Sequence, residues 1–275
     1  MPVRRPIRRG KVRQKPSIAK EQVLQPDYQA GVSYWAQTPA SLSGVMGGYG
    51  DSTQLPRVDA LGSRTLLLTL LPALSSLSGP HATLPQRTRR MRALDCGAGI
   101  GRVTNRVLLP LFDSVDLVEP LEHFVEQAVH DCPAWYGMHP SSPSPPLAKR
   151  VRFFQCGLQT FDPAKPDLAT LAAALTGTGS VLEEEEEPGY DVVWIQWCIG
   201  HLSDTDFIAF LQRSKAALRP NGMIMVKENL APADESLFDA DDSSITRSDQ
   251  NFLTCFAQAG LSIIRQDIQH EGQQI

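Results

Sequence analysis

Residues 95–102 read Asp-Cys-Gly-Ala-Gly-Ile-Gly-Arg, with three glycines at alternate positions between an apolar run and a segment of helical character. Glycine is needed where a backbone turns tightly and where a ligand must approach within van der Waals distance of Cα. At the carboxyl end of a strand such a loop opens onto the crevice where nucleotides bind in α/β sheets. Glu119 lies eighteen residues past Gly101, at the end of the next predicted strand. An acid there can accept hydrogen bonds from both hydroxyls of a ribose. The spacing leaves the ligand open. A pyrophosphate loop prefers Gly-x-Gly-x-x-Gly, and here the third glycine comes one residue early. The same residues also fit a purely structural turn, with Arg102 a surface residue at a helix start.

The elements that must carry this loop alternate along the chain. Apolar runs predict strands at 92–96, 114–119, 151–156, 191–196 and 222–229, and a sixth at 261–264. Helical patterns occupy 104–111, 121–130, 205–218 and 247–259, and extra helices within 25–80 precede the first strand. Pro220-Asn221-Gly222 is a helix stop followed by a turn. Strands alternating with helices imply a doubly wound α/β fold, mostly parallel, with helices on both faces. Three stretches read as irregular: a tail over 1–25, a Pro/Ser-rich surface insertion at 133–149, and a second insertion at 162–189. The second ends in five consecutive glutamates, and its "LATLAAALTG" core could form a short helix. The expected organisation is a disordered tail on one domain spanning 26–275.

Charge divides the chain in the same way. Net charge is −4, yet residues 1–20 hold eight Lys or Arg and no acid, so the remainder stands at −12. An acidic body suits a basic partner and disfavours nucleic acid as the main ligand. No apolar stretch is long enough to span a membrane, and the basic start is not followed by a signal-peptide core. Five scattered cysteines without a C-x-x-C pair argue against a disulfide framework and a metal site, and for a reducing compartment.

The form D-x-G-x-G-x-G resembles the S-adenosylmethionine loop of class I methyltransferases. Other segments are more specific: "YWAQTPASLSGVMGGYG" at 34–50, "CGLQTF" at 156–161, "YDVVWIQWCIGHLSD" at 190–204, "LRPNGMIMVKEN" at 218–229 and "DADDSS" at 239–244. With the glycine loop they make the chain similar to the α-N-terminal protein methyltransferases, which methylate the N-terminal amine of proteins beginning Xaa-Pro-Lys or Xaa-Pro-Arg. The resemblance implies a Rossmann-like fold and S-adenosyl-L-methionine held by Gly97, Arg102, Glu119, Leu158, Gln159 and Gln196. Arg102 would face the methionyl carboxylate, and Glu119 stands where relatives commonly have Asp. It further implies a peptide groove lined by Tyr34, Trp35, Met46, Trp197, Asp239 and Ser244, with His201, Asn229 and Asp242 at the reacting amine.

These residue types suit that chemistry. An α-amine must be neutral to attack, and its pKa is about 7.7–8.0 in reference peptides. Asp242 or His201 could accept the proton, a form of help typically worth ~10²–10⁴-fold. Indole faces suit a second-position proline ring, and Asp239 with Asp242 would meet a third-position Lys or Arg. The family likeness and the basic tail imply residence in cytoplasm and nucleus, and a monomer is the expected state. Two other readings stay open, a methyltransferase acting on a different amine and an inactive regulatory homologue. Relatives close with a further antiparallel strand after "AGLS", where this chain has polar "QDIQHEGQQI". The expectation is therefore a sheet without that strand.

Overall fold

Hydrophobic alternation along the central strands builds a core on each side of one sheet. Ala93, Val115, Leu117, Phe153, Val192 and Trp194 face one cluster, and Leu94, Cys96, Val118, Phe154, Val193 and Ile195 face the other. The computed structural model describes residues 25–75, 89–139, 149–177, 187–232 and 235–269. The basic tail to residue 24, the Pro/Ser-rich run at 140–146 and the glutamates at 183–186 lie outside the described residues.

The strands are β1 (Arg92–Cys96), β2 (Ser114–Glu119), β3 (Arg150–Gln155), β4 (Leu171–Thr176), β5 (Tyr190–Gln196) and β6 (Leu218–Lys227). Their order is β4-β3-β2-β1-β5-β6, parallel throughout except for β4. A small hairpin, β7 (Leu237–Asp239) and β8 (Ser244–Thr246), stands apart. The helices are α1 (Tyr28–Trp35), α2 (Leu42–Val45), α3 (Leu55–Leu70), α4 (Glu122–Asp131), α5 (Asp204–Ala216) and α6 (Asp249–Gln258). Ser203 and Ser248 cap α5 and α6 through their hydroxyls, on Asp206 N and Asn251 N. Both carboxyl-end loops of interest, after β1 and after β5, belong to adjacent central strands. That adjacency is what places the glycine loop beside the segment following Gln196.

Several expectations need correction. The insertion at 162–189 supplies β4, which pairs antiparallel with β3, so its alanine-rich run is strand and not helix. Backbone pairing with an open sheet edge outweighs the helix preference of alanine. The run 261–264 forms no strand: beyond Gly260, at φ +67°, the chain is irregular, with Ile263 and Ile264 exposed. Among the described residues no strand pairs with the outer edge of β6 in the main sheet. In the insertion at 133–149, Trp135 and Met138 are buried in the first core, so its start is packed and not a surface loop. Pro220-Asn221-Gly222 does not precede the fifth strand but bulges within it, where the register jumps from Tyr190–Leu218 to Val192–Met223. The segment after the glycine loop is a π-helical turn, with Leu109 N donating to Thr104 O at 2.8 Å. The "DADDSS" segment forms the ends and turn of a hairpin.

Candidate active site

The three loop glycines all have positive φ, +60° at Gly97, +55° at Gly99 and +77° at Gly101. Two are also forced by contact. A Cβ on Gly97 would lie 2.3 Å from Cys198 Cβ, and one on Gly101 would lie 2.2 Å from the Trp135 ring. The first contact presses the loop after β1 against the loop after β5. Beneath it, buried Asp95 accepts from Thr104 Oγ1 at 2.6 Å, and burial pushes its pKa up to about 6. Glu119 accepts from Gly99 N at 2.8 Å and from Leu121 N at 3.0 Å. Burial nevertheless raises its pKa to about 7, those two donors opposing the rise and the Asp95 charge adding to it.

Asp59 on α3 is a hub that sequence reasoning missed. Only 1% exposed, it accepts from Arg102 Nη1 at 2.5 Å, from Gln196 Nε2 at 2.9 Å and from Lys227. Burial pushes its pKa up, but the two cations outweigh burial and hold it below the usual carboxylate value. Trp194 Nε1 donates to Gln196 Oε1 at 3.0 Å, which fixes the amide's orientation, and Arg102 lies 5.1 Å over the Trp197 ring. Four predicted residues (Arg102, Glu119, Gln196 and Trp197) thus surround the glycine loop. A signal for Asp59 was present: Pro56, Asp59, Ala60, Ser63 and Leu67 form the buried stripe of α3, and two of the five are polar.

A second group gathers where β5 gives way to a 3-10 turn, Ile199–His201. Trp197, at φ +55°, leaves the strand with its N still donating to Lys227 O at 3.1 Å. A non-glycine residue there costs roughly 1–3 kcal/mol and persists only when neighbours hold it. Glu228 is one of them, accepting from Cys198 N at 2.7 Å and Ile199 N at 3.1 Å; burial raises its pKa to about 7. Trp35 Nε1 donates to His201 Nε2 at 2.9 Å. An indole N–H only donates, so Nε2 is the acceptor and the neutral ring carries its proton on Nδ1. Burial lowers the His201 pKa, against the nearby Asp242 charge and the Ser243 backbone.

His201 Nδ1 and Asp242 Oδ1 are both buried without a hydrogen-bond partner in the protein. Helix α1 closes over them through Gly31, whose missing side chain would lie 3.1 Å from His201 Nδ1 and 3.4 Å from Asp242 O. Ser243, at φ +55°, accepts from Asp27 N at 2.8 Å and so ties the hairpin turn to the start of α1. Ser244 Cβ would lie 3.5 Å from a Cβ on Gly200, in the same turn as His201. The remaining predicted residues are less centrally placed. Tyr34 is exposed, edge-on to Trp35 at 5.5 Å, and Asn229 is exposed at the end of β6. Asp239 is exposed and accepts from Asp241 N at 2.8 Å, capping its own turn. Met46 is buried, and the carbonyls of Leu158 and Gln159 are held by Arg213 Nη2 at 2.8 and 3.0 Å.

A glycine cradle with no room for a Cβ, a buried acid on the loop backbone and a guanidinium on an indole face fit the ribose and amino-acid ends of S-adenosylmethionine. Together with the parallel sheet they define an S-adenosylmethionine-dependent methyltransferase. The sequence model of one such family, described as AdoMet dependent proline di-methyltransferase, matches residues 24–274, and the chain belongs to that family. It is 38% identical over 243 residues to human N-terminal Xaa-Pro-Lys N-methyltransferase 1, covering 88% of this chain and 87% of that protein. It is equally 38% identical over 239 residues to the Arabidopsis thaliana alpha N-terminal protein methyltransferase 1, covering 86% and 72%. Among solved structures, a SAM-dependent methyltransferase from Leishmania major superposes with a TM-score of 0.62 at 31% identity, over 86% and 74% of the two chains.

Proposed function

We propose that this chain methylates the α-amine of polypeptides beginning Xaa-Pro-Lys or Xaa-Pro-Arg, using S-adenosylmethionine. The observation that carries the reading is the pair of buried, unpartnered atoms, His201 Nδ1 in the turn that follows Cys198 and Asp242 Oδ1 in the β7–β8 hairpin, which Gly31 of α1 approaches together. Buried polar atoms without partners are rare and call for an explanation, and a bound amine provides one. Gly97, Arg102, Glu119 and Gln196 would hold the cofactor, which supplies an electrophilic methyl on its sulfonium when bound.

The amine must shed a proton to expose its lone pair. With Trp35 occupying Nε2, His201 presents Nδ1–H as a donor, while Asp242 Oδ1 presents an acceptor. Asp242 is therefore the proton acceptor, and His201 is a neutral partner that orients the carboxylate or the peptide. Trp35 and Trp197 give flat walls for the proline ring, and the acidic hairpin suits the basic third residue. The wider reading, work in cytoplasm and nucleus, is supported by the basic first twenty residues and the family likeness.

The test is incubation with S-adenosylmethionine and a peptide beginning Ser-Pro-Lys-Arg, followed by mass spectrometry. A mass gain abolished by N-acetylation of the peptide is the expected result. Gain despite acetylation would mean a different amine, and cofactor binding without gain would mean an inactive homologue.

A further inference from the structure

We propose that Arg247 is a positioning residue for the amine end of the site, fixing the turn that bears His201 against the hairpin that bears Asp242; this rests on the reading above. Its side chain is fully buried, at the end of β8. Nη1 donates to Ile199 O at 2.7 Å and Nη2 to Leu202 O at 2.6 Å, so one guanidinium spans both ends of the His201 turn. Nε reaches Asp204 Oδ1 at 2.9 Å, at the first residue of α5, and Asp204 is held in turn by Asn251 Nδ2 at 2.9 Å. The plane of the group lies 5.1 Å over the Phe207 ring. On the backbone, Arg247 O accepts from Ala231 N at 2.9 Å, two residues beyond Asn229.

Two stretches that the sequence keeps apart, residues 199–207 and the segment after β6 at Ala231, therefore meet on Arg247. Glu228 completes the arrangement by taking the N–H groups of Cys198 and Ile199, while Arg247 takes carbonyls of the same turn. Only a planar fork can satisfy two divergent carbonyls and a carboxylate at once; a lysine ammonium is a point charge on a flexible stem. The cofactor residues Glu119 and Arg102 make their hydrogen bonds elsewhere, to the loop backbone and to Asp59. Loosening Arg247 should consequently disturb the amine and spare the cofactor.

The experiment compares the full chain with Arg247→Lys and Asp204→Asn, measuring S-adenosylhomocysteine Kd, melting temperature, and kcat and KM on the Ser-Pro-Lys-Arg peptide. The expected result for Arg247→Lys is a fall in kcat of about tenfold to a hundredfold, the scale of a ~1 Å misplacement. Its S-adenosylhomocysteine Kd should stay within about threefold, because a bidentate fork is lost only on the amine side. Asp204→Asn, which keeps both carbonyl bonds, should lose less than Arg247→Lys. Turnover by Arg247→Lys equal to that of the parent overturns the proposal, as does loss of cofactor affinity in step with turnover, which would mark a residue of the general fold. A larger loss in Asp204→Asn overturns it too. A parent chain that binds S-adenosylhomocysteine yet leaves the peptide unmethylated overturns instead the reading on which the proposal rests.

Discussion

The cofactor half and the amine half of the site are built on opposite plans. Around the glycine loop, the polar groups answer one another within the protein: Glu119 with two backbone N–H groups, and Asp59 with Arg102, Gln196 and Lys227. Around His201, its own Nδ1 and Asp242 Oδ1 are buried without protein partners. The first half rests on fully buried central strands, the second on an eight-residue helix, a 3-10 turn and a three-residue hairpin pair. A ligand that never changes can be met by a finished, self-satisfied frame. A polypeptide head that must surrender a proton needs an acceptor kept in reserve, and burial without a partner is the cost of keeping it.

The sharpest way to break this contrast is Asp242→Asn. If the reserve acceptor is the base, kcat should drop by about 10²–10⁴-fold with cofactor affinity unchanged, read by peptide mass gain and by calorimetry. Glu119→Ala should do the reverse. It should weaken S-adenosylhomocysteine binding about 10- to 100-fold, the worth of hydrogen bonds to a charged group, while the peptide KM holds. Gly101→Ala probes the frame itself, since the new methyl meets the Trp135 ring in a left-handed backbone; we expect a loss of about 1–3 kcal/mol in denaturant unfolding.

Each half holds a carboxylate that burial raises to about 7, Glu119 by the glycine loop and Glu228 under the His201 turn, so the halves are told apart by cofactor affinity and not by stability. Glu119 titrates at about 7 in the fold against a reference of 4.5, so the folded chain binds this proton more tightly than the unfolded one. Its contribution to stability is full below its unfolded pKa and is lost as pH rises through about 7. Cofactor binding needs the ionised form, so S-adenosylhomocysteine affinity should move the other way, gaining about tenfold from pH 6 to 8. The smallest expected change is Trp35→Phe, which removes one hydrogen bond to His201 and should lower kcat/KM by about two- to tenfold.

The cofactor half was the more legible in the sequence because its geometry is local. Glycines at alternate positions after an apolar run, and an acid at the end of the next strand, are short-range patterns whose meaning survives without knowledge of the fold. The amine half could be named only through likeness to relatives, and each half held a residue that the sequence concealed. Asp59 hid as a polar residue on the apolar stripe of α3, 43 positions before its partner Arg102. Arg247 looked like the first residue of a helix, although the chain instead buries it under the His201 turn. Local preference also misled where an edge was available, as at β4, or where none was offered, as at 261–264.

By itself, the order of amino acids determined the alternation of strand and helix, the glycine turn and the burial of a two-faced sheet, because periodicity and backbone permissiveness act over a few residues. Only tertiary structure decided which nitrogen of His201 carries the proton, which carboxylates are buried with partners and which without. Those properties depend on contacts between segments far apart in the chain, such as Trp35 with His201 across 166 positions, and on the desolvation that close packing imposes.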